Sequence, residues 1–105
     1  MRPDSQSLDE LVERILRVSK PVKIILFGSA ARGTMTSESD IDVLVVVSDG
    51  TPRRKTAQDI YQNLIGFGFA VDVVVATEND LLEHGDNFSM IYYPALREGA
   101  EIYAA

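Results

Sequence analysis

The stretch from Val22 to Val47, VKIILFGSAARGTMTSESDIDVLVVV, constrains the fold more than any other part of the chain. Its two apolar, β-branched runs, Val22 to Phe27 and Ile41 to Val47, are continuous rather than alternating, as expected of strands covered on both faces. Gly28 breaks the first run. Ser29 is placed to cap a short helix through Ala30-Ala31-Arg32, whose first amides would be free to bind an anion. Thr34 to Ser39 is polar and without periodicity, and reads as a loop. Two strands flanking a Gly-Ser turn would thus bring carboxylates close to a backbone that can hold phosphate.

Those carboxylates are Asp40 and Asp42. Side chains at i and i+2 of a strand share a face, so the two project together if the strand begins at or before Asp40, with Ile41 turned into the core. Two ionised carboxylates on one pleat repel, which raises at least one pKa unless a cation intervenes. Oxygen-only ligands suit a hard ion, Mg²⁺ or Mn²⁺. Asp72 is a single charge inside a third apolar run, Phe69 to Val75, and is costly to bury unless paired or bound to metal. If the third strand neighbours the second, Asp72 joins the other two. Taken singly, each aspartate reads as an ordinary solvated charge. The three together, with Gly28-Ser29, favour a metal site.

The remaining elements are legible in order. Ser7-Leu8-Asp9-Glu10 has the form of a capping box and predicts a helix from Ser7, with Leu8, Leu11, Val12, Ile15 and Leu16 as its apolar stripe and Glu10, Glu13, Arg14 and Arg17 turned to water. Pro21 leads into the first strand. After the turn Ser48-Asp49-Gly50, Thr51 as N-cap and Pro52 in the first helical position predict a second helix, with Ala57, Ile60, Tyr61, Leu64 and Ile65 on its apolar face and Gly66 after its end. Thr77 with Asp80 three residues on predicts a short helix through Leu82. Met90, Ile91, Ala95 and Leu96 could share a helical face, although Pro94 opposes it; Gly99 stops that segment, and Glu101 to Tyr103 can add a last short strand. Alternating helices and strands predict an α/β (α+β) fold, a small mixed β-sheet flanked by helices, as one domain over 1–105 with residues 1–6 disordered.

Composition narrows the function. A chain of 105 residues with 46% hydrophobic content suits a single globular core. A net charge of −6 disfavours a polynucleotide partner, which needs clustered Lys and Arg, but not a nucleotide accompanied by cations. The absence of cysteine excludes disulfides and thiolate metal sites. With no signal-peptide core and no apolar run of about 20 residues, neither export nor a membrane partner is expected, and the cytoplasm is the expected location.

Gly28-Ser29, then ten residues, then Asp40-Ile41-Asp42, with Asp72 on a later strand, resembles the signature of the polymerase-beta-type nucleotidyltransferase superfamily. The small size, Arg32-Gly33, Arg97-Glu98-Gly99 and Ile102-Tyr103 resemble its minimal nucleotidyltransferase (MNT) branch. The resemblance covers nearly the whole chain from Pro21. It implies a nucleotidyltransferase fold in which Gly28 and Ser29 hold a nucleoside triphosphate. Asp40, Asp42 and Asp72 would ligate two Mg²⁺ ions, and Asp72 would also help activate the acceptor hydroxyl. The implied reaction moves a nucleoside monophosphate, AMP from ATP, with release of pyrophosphate. Larger relatives append a helical acceptor domain, and no segment here is expected to serve as one. The acceptor is therefore expected on another polypeptide or a second copy of this one. MNT proteins pair with HEPN-domain proteins as antitoxin and toxin, and some adenylylate a tyrosine of that partner. A non-catalytic module acting by occlusion, and a small-molecule nucleotidyltransferase, are the competing readings.

Arg32 could reach a phosphate or be an ordinary surface arginine. Arg53-Arg54-Lys55, cations in a first helical turn, hint at an anionic ligand but read better as a solvated face. His84 reads as exposed, Tyr92 and Tyr93 as partner surface or core, and Gly66-Phe67-Gly68 as a turn.

Overall fold

The two apolar runs become neighbouring strands, and the third adds to them in parallel. The computed structural model of the chain describes residues 3–36, 40–84, 95 and 97–105, with residue 84 described by its backbone only. Its elements are α1 (Ser5–Leu16), β1 (Lys23–Phe27), α2 (Gly28–Arg32), β2 (Ile41–Val47), α3 (Arg53–Asn63), β3 (Val71–Thr77), α4 (Glu78–His84) and β4 (Ala100–Ala104). The strands form one mixed sheet in the order β3-β2-β1-β4. β1 runs antiparallel to β2 and β4, and β2 runs parallel to β3 with α3 as the crossover between them. This is the small mixed sheet with flanking helices that the pattern predicts.

Alternation along each strand divides the core in two. Ile24, Leu26, Ile41, Val43, Val45, Val73 and Val75 face Leu11 and Ile15 of α1 and Ile60 of α3. Ile25, Phe27, Leu44, Val46 and Ala76 face the other way, where Ala95 is buried with them and Val74 and Leu81 pack alongside. Continuous apolar runs are needed because both faces are covered. Among the described residues no helix is long and apolar enough to cross a membrane.

Several ends differ from the sequence reading. Helix α1 starts at Ser5, with the Asp4 side chain accepting the Ser7 amide at 2.7 Å, so Asp4 rather than Ser7 is the N-cap. Both are good caps, and Asp4 adds a carboxylate at the positive end of the helix. Ser5 and Gln6, at the end of the segment expected to be disordered, lie in α1, while residues 1–2 lie outside the described residues. Leu16 is 38% exposed, because 3.6 residues per turn set it about 140° round from Leu11, at the rim of the stripe. Arg14 is not simply turned to water. Its Nη1 donates to the carbonyls of Asn63 (3.1 Å), the last residue of α3, and Ile65 (3.0 Å) just beyond it, and its guanidinium stands 5.8 Å from the Phe67 ring centre. A cation there answers the negative end of the helix.

Pro52, not Thr51, is the N-cap of α3 and bonds through no side chain. Strand β3 spans Val71–Thr77, two residues later than the apolar run predicts, and Phe69 instead meets Phe67 in a tilted contact with ring centres 5.6 Å apart. The expected helical face of Met90, Ile91 and Leu96, the tyrosines 92 and 93 and the His84 side chain lie outside the described residues.

The predicted cap of α4 forms as a reciprocal pair: the Thr77 amide donates to Asp80 Oδ2 (2.9 Å) and the Asp80 amide donates to Thr77 Oγ1 (3.1 Å). Asp80 also receives Arg53 Nη1 at 2.9 Å, tying α4 to α3. The backbone hydrogen bond from Thr77 holds the Asp80 carboxyl below its ordinary value of 3.8, with Arg53 assisting. Asp80→Ala should lower stability by about 1 kcal/mol at neutral pH, measured as a urea midpoint. Because the folded pKa is depressed, this contribution is present above 3.8 and disappears as pH falls through the folded value, so the two proteins should converge in acid.

Candidate active site

The site stands at one end of the sheet, where three strands meet in register. Phe27, the last residue of β1, faces Asp42, and Asp42 faces Asp72 across the parallel pair. Facing residues of adjacent strands share a side, and strands lie about 4.8 Å apart, so the two carboxylates are neighbours. They occupy the same face as Leu44, Val46 and Ala76, at the end of the strands nearest Gly28.

Gly28 follows at once and opens α2 with φ +71. A Cβ at this position would fall far inside contact distance of Asp42 Oδ2 and 3.2 Å from its Cγ. The main chain thus lies directly against the Asp42 carboxyl, an approach only glycine allows. Ser29 sits inside α2 rather than capping it; the cap is Phe27, which offers no side-chain hydrogen bond. An apolar cap leaves the first amides of α2 without side-chain acceptors, beside the carboxylates. Gly33 closes the turn, and Arg32 in its last turn pairs with Glu98 at 3.6 Å, both half exposed.

Asp42 is half-buried, whereas Asp72 and Asp40 are exposed. Burial pushes the Asp42 carboxyl above its ordinary value, the Asp72 and Asp40 charges add to the push, and the Arg32 guanidinium opposes them. The Asp40 charge bears on Asp42 from just before the strand. The ladder begins one residue later, with the Ile41 amide donating to the Ala70 carbonyl at 2.8 Å, so the strand rule that would align Asp40 with Asp42 does not apply to it. Among the described residues no three acidic or histidine side chains gather closely enough to hold an ion.

In chemical type the donors fit a hard divalent cation: two adjacent carboxylates, oxygen only, with their mutual repulsion incompletely offset. Asp42 and Asp72 would supply the core of such a site, and Asp40 is the nearby third carboxylate.

One participant escaped sequence reading. Tyr61 looked like part of the apolar face of α3, but it is 43% exposed and its hydroxyl lies 3.3 Å from Asp72 Oδ1. Helical spacing assigns a face and says nothing of where a phenol tip lands. The cations of the first turn of α3 are otherwise engaged in part, Arg53 with Asp80 and Lys55 with Asp59 at 3.0 Å.

The family described as Nucleotidyltransferase domain matches residues 8–99. Two Methanocaldococcus jannaschii proteins, each provisionally named a protein adenylyltransferase, are similar in sequence. One is 38% identical over 82 residues, covering 77% of this chain and 77% of its own. The other is 32% identical over 89 residues, covering 74% of this chain and 60% of its own, so this chain spans less than two thirds of that relative's length. Solved structures share the fold. A provisionally designated nucleotidyltransferase from Sulfolobus solfataricus has a TM-score of 0.64 at 20% identity, over 94% of this chain and 78% of its own. A mutant of the toxin-antitoxin MntA-HpeT has a TM-score of 0.65 at 19% identity, over 93% and 73%. A toxin-antitoxin with AMP-PNP has 0.57 at 23%, over 92% and 73%.

Proposed function

The chain belongs to the nucleotidyltransferase-domain family, and on that premise we propose that it moves AMP from ATP to a hydroxyl of a partner protein, a tyrosine of a HEPN-type toxin, and so acts as an antitoxin in the cytoplasm. The observation that carries this reading is the Asp42–Asp72 pair, in register across β2 and β3 with the Gly28 backbone against it. The names of the relatives and of the toxin-antitoxin fold neighbours support the protein acceptor and the toxin partner.

In this reading the backbone of Gly28 and Ser29 binds the triphosphate, with Arg32 reaching toward it from the last turn of α2. Asp40, Asp42 and Asp72 would hold divalent metal, which when bound supplies charge neutralisation at the phosphate oxygens. Asp72, exposed on β3, accepts the proton of the acceptor hydroxyl as the hydroxyl oxygen attacks the α-phosphorus and pyrophosphate leaves. The chain contributes positioning, through a sheet end that presents carboxylates beside the first amides of α2.

Incubation with α-labelled ATP, Mg²⁺ and the product of the neighbouring gene tests the proposal. Label transferred to the partner is the expected outcome. Neutralisation of the partner without label would instead mean occlusion. Mg²⁺ with ATP should also raise the melting temperature, since a ligand confined to the folded state stabilises it; no shift at saturation would count against the site.

A further inference from the structure

We propose that Tyr61 is a positioning residue of this site, its hydroxyl anchored on the open edge of β3 so that it orients the Asp72 carboxylate. The inference rests on the role given to Asp72 above. In the parallel pair the Ile41 amide bonds the Ala70 carbonyl, so residues of that parity, Asp72 included, turn their backbone groups toward β2. Val73 therefore presents its N–H and C=O to the outer edge, β3 being the outermost of the described strands.

The Tyr61 oxygen accepts the Val73 amide at 2.8 Å. Its single proton then faces two acceptors, Asp72 Oδ1 at 3.3 Å and the Val73 carbonyl at 3.4 Å. An edge amide left open to water is thereby satisfied, and the phenol is held where it meets the carboxylate. The effect on Asp72 follows from its neighbour. A like charge directly opposite, on Asp42, drives the exposed Asp72 side chain outward, and the Tyr61 hydroxyl is a fixed donor that opposes this rotation. Asp72 is thus held at its backbone by β2 and at its carboxylate by α3.

Tyr61→Phe keeps the ring and removes the hydroxyl. Expected results are a fall in kcat for AMP transfer of between about 10- and 100-fold, as for a misplacement of about 1 Å, with KM for ATP changed less than about twofold. Amide exchange at Val73 should quicken and the Asp72 side-chain carboxyl ¹³C resonance should move, both readable without turnover. Unchanged kcat with faster Val73 exchange would reduce Tyr61 to a fastener of the edge strand and overturn the proposal. A rise in KM for ATP matching the loss of rate would also overturn it, since Tyr61 would then act on the nucleotide. Asp72→Asn separates the two levels. If Asp72→Asn is inactive while Tyr61→Phe is fully active, only the Tyr61 proposal falls; if Asp72→Asn retains transfer, the role of Asp72 falls and this proposal falls with it.

Discussion

Asp42→Asn should abolish transfer, by roughly a thousandfold or more, and at the same time stabilise the free protein slightly. The rate loss follows from removing a charge at which the proposed metal and phosphate chemistry converge. The gain in stability follows from the same charge. Asp42 is the half-buried member of the cluster; burial first, then Asp72 and Asp40, raise its carboxyl above the ordinary value. Its ionised form therefore works against folding at neutral pH. Partial exposure keeps the gain below about 1 kcal/mol, or about 4 °C in melting temperature.

The pH dependence has a definite sign. A carboxyl whose folded pKa is raised binds its proton more tightly when folded, so the free wild-type protein gains stability as pH falls through the folded value toward 3.8. The asparagine variant lacks this gain. Its advantage in melting temperature should be largest at neutral pH and close in acid. An advantage that widened in acid would mean that Asp42 is stabilised as a carboxylate, contrary to its place beside Asp72.

Gly28→Ala should have the second largest effect, costing about 3 kcal/mol and most of the activity. Two costs combine. A left-handed backbone is unfavourable by about 1–2 kcal/mol for any residue with a Cβ, and the added methyl would drive into the Asp42 carboxyl, an overpacking cost of about 1–3 kcal/mol. Gly66→Ala is the control. Its φ of +84 is similar, but a Cβ there meets nothing within 4 Å, so only the backbone cost applies. Denaturant midpoints compare the two directly. Equal losses at Gly28 and Gly66 would show that Asp42 yields its place freely and that the main chain does not define the site.

Much of this was legible without coordinates. Strands β1 and β2 could be read from continuous Val, Ile and Leu runs, because a strand buried on both faces cannot alternate. The Thr77–Asp80 cap could be read because its partners are three residues apart and the chemistry is local. Where two local solutions competed, as between Asp4 and Ser7 or Pro52 and Thr51, sequence chose the wrong one by a residue or a turn. Asp and Ser are nearly equal as caps, and a helix boundary shifts by a residue or two with the tertiary contacts around it.

At the site, residue types and spacing named Gly28, Asp42 and Asp72 as candidates, since an isolated carboxylate in an apolar strand and a glycine at a strand end are anomalies that need a reason. Only the tertiary structure decided that β3 lies beside β2 in parallel, which sets Asp72 opposite Asp42, that Asp40 stays outside the ladder, and that Tyr61 reaches Asp72 from another element. The reason is physical. Periodicity records which face of a segment is buried, a local consequence of 3.6 and 2.0 residue repeats. Strand order, register and the reach of a side chain across an edge depend on contacts between residues far apart in sequence, and no single segment carries their trace.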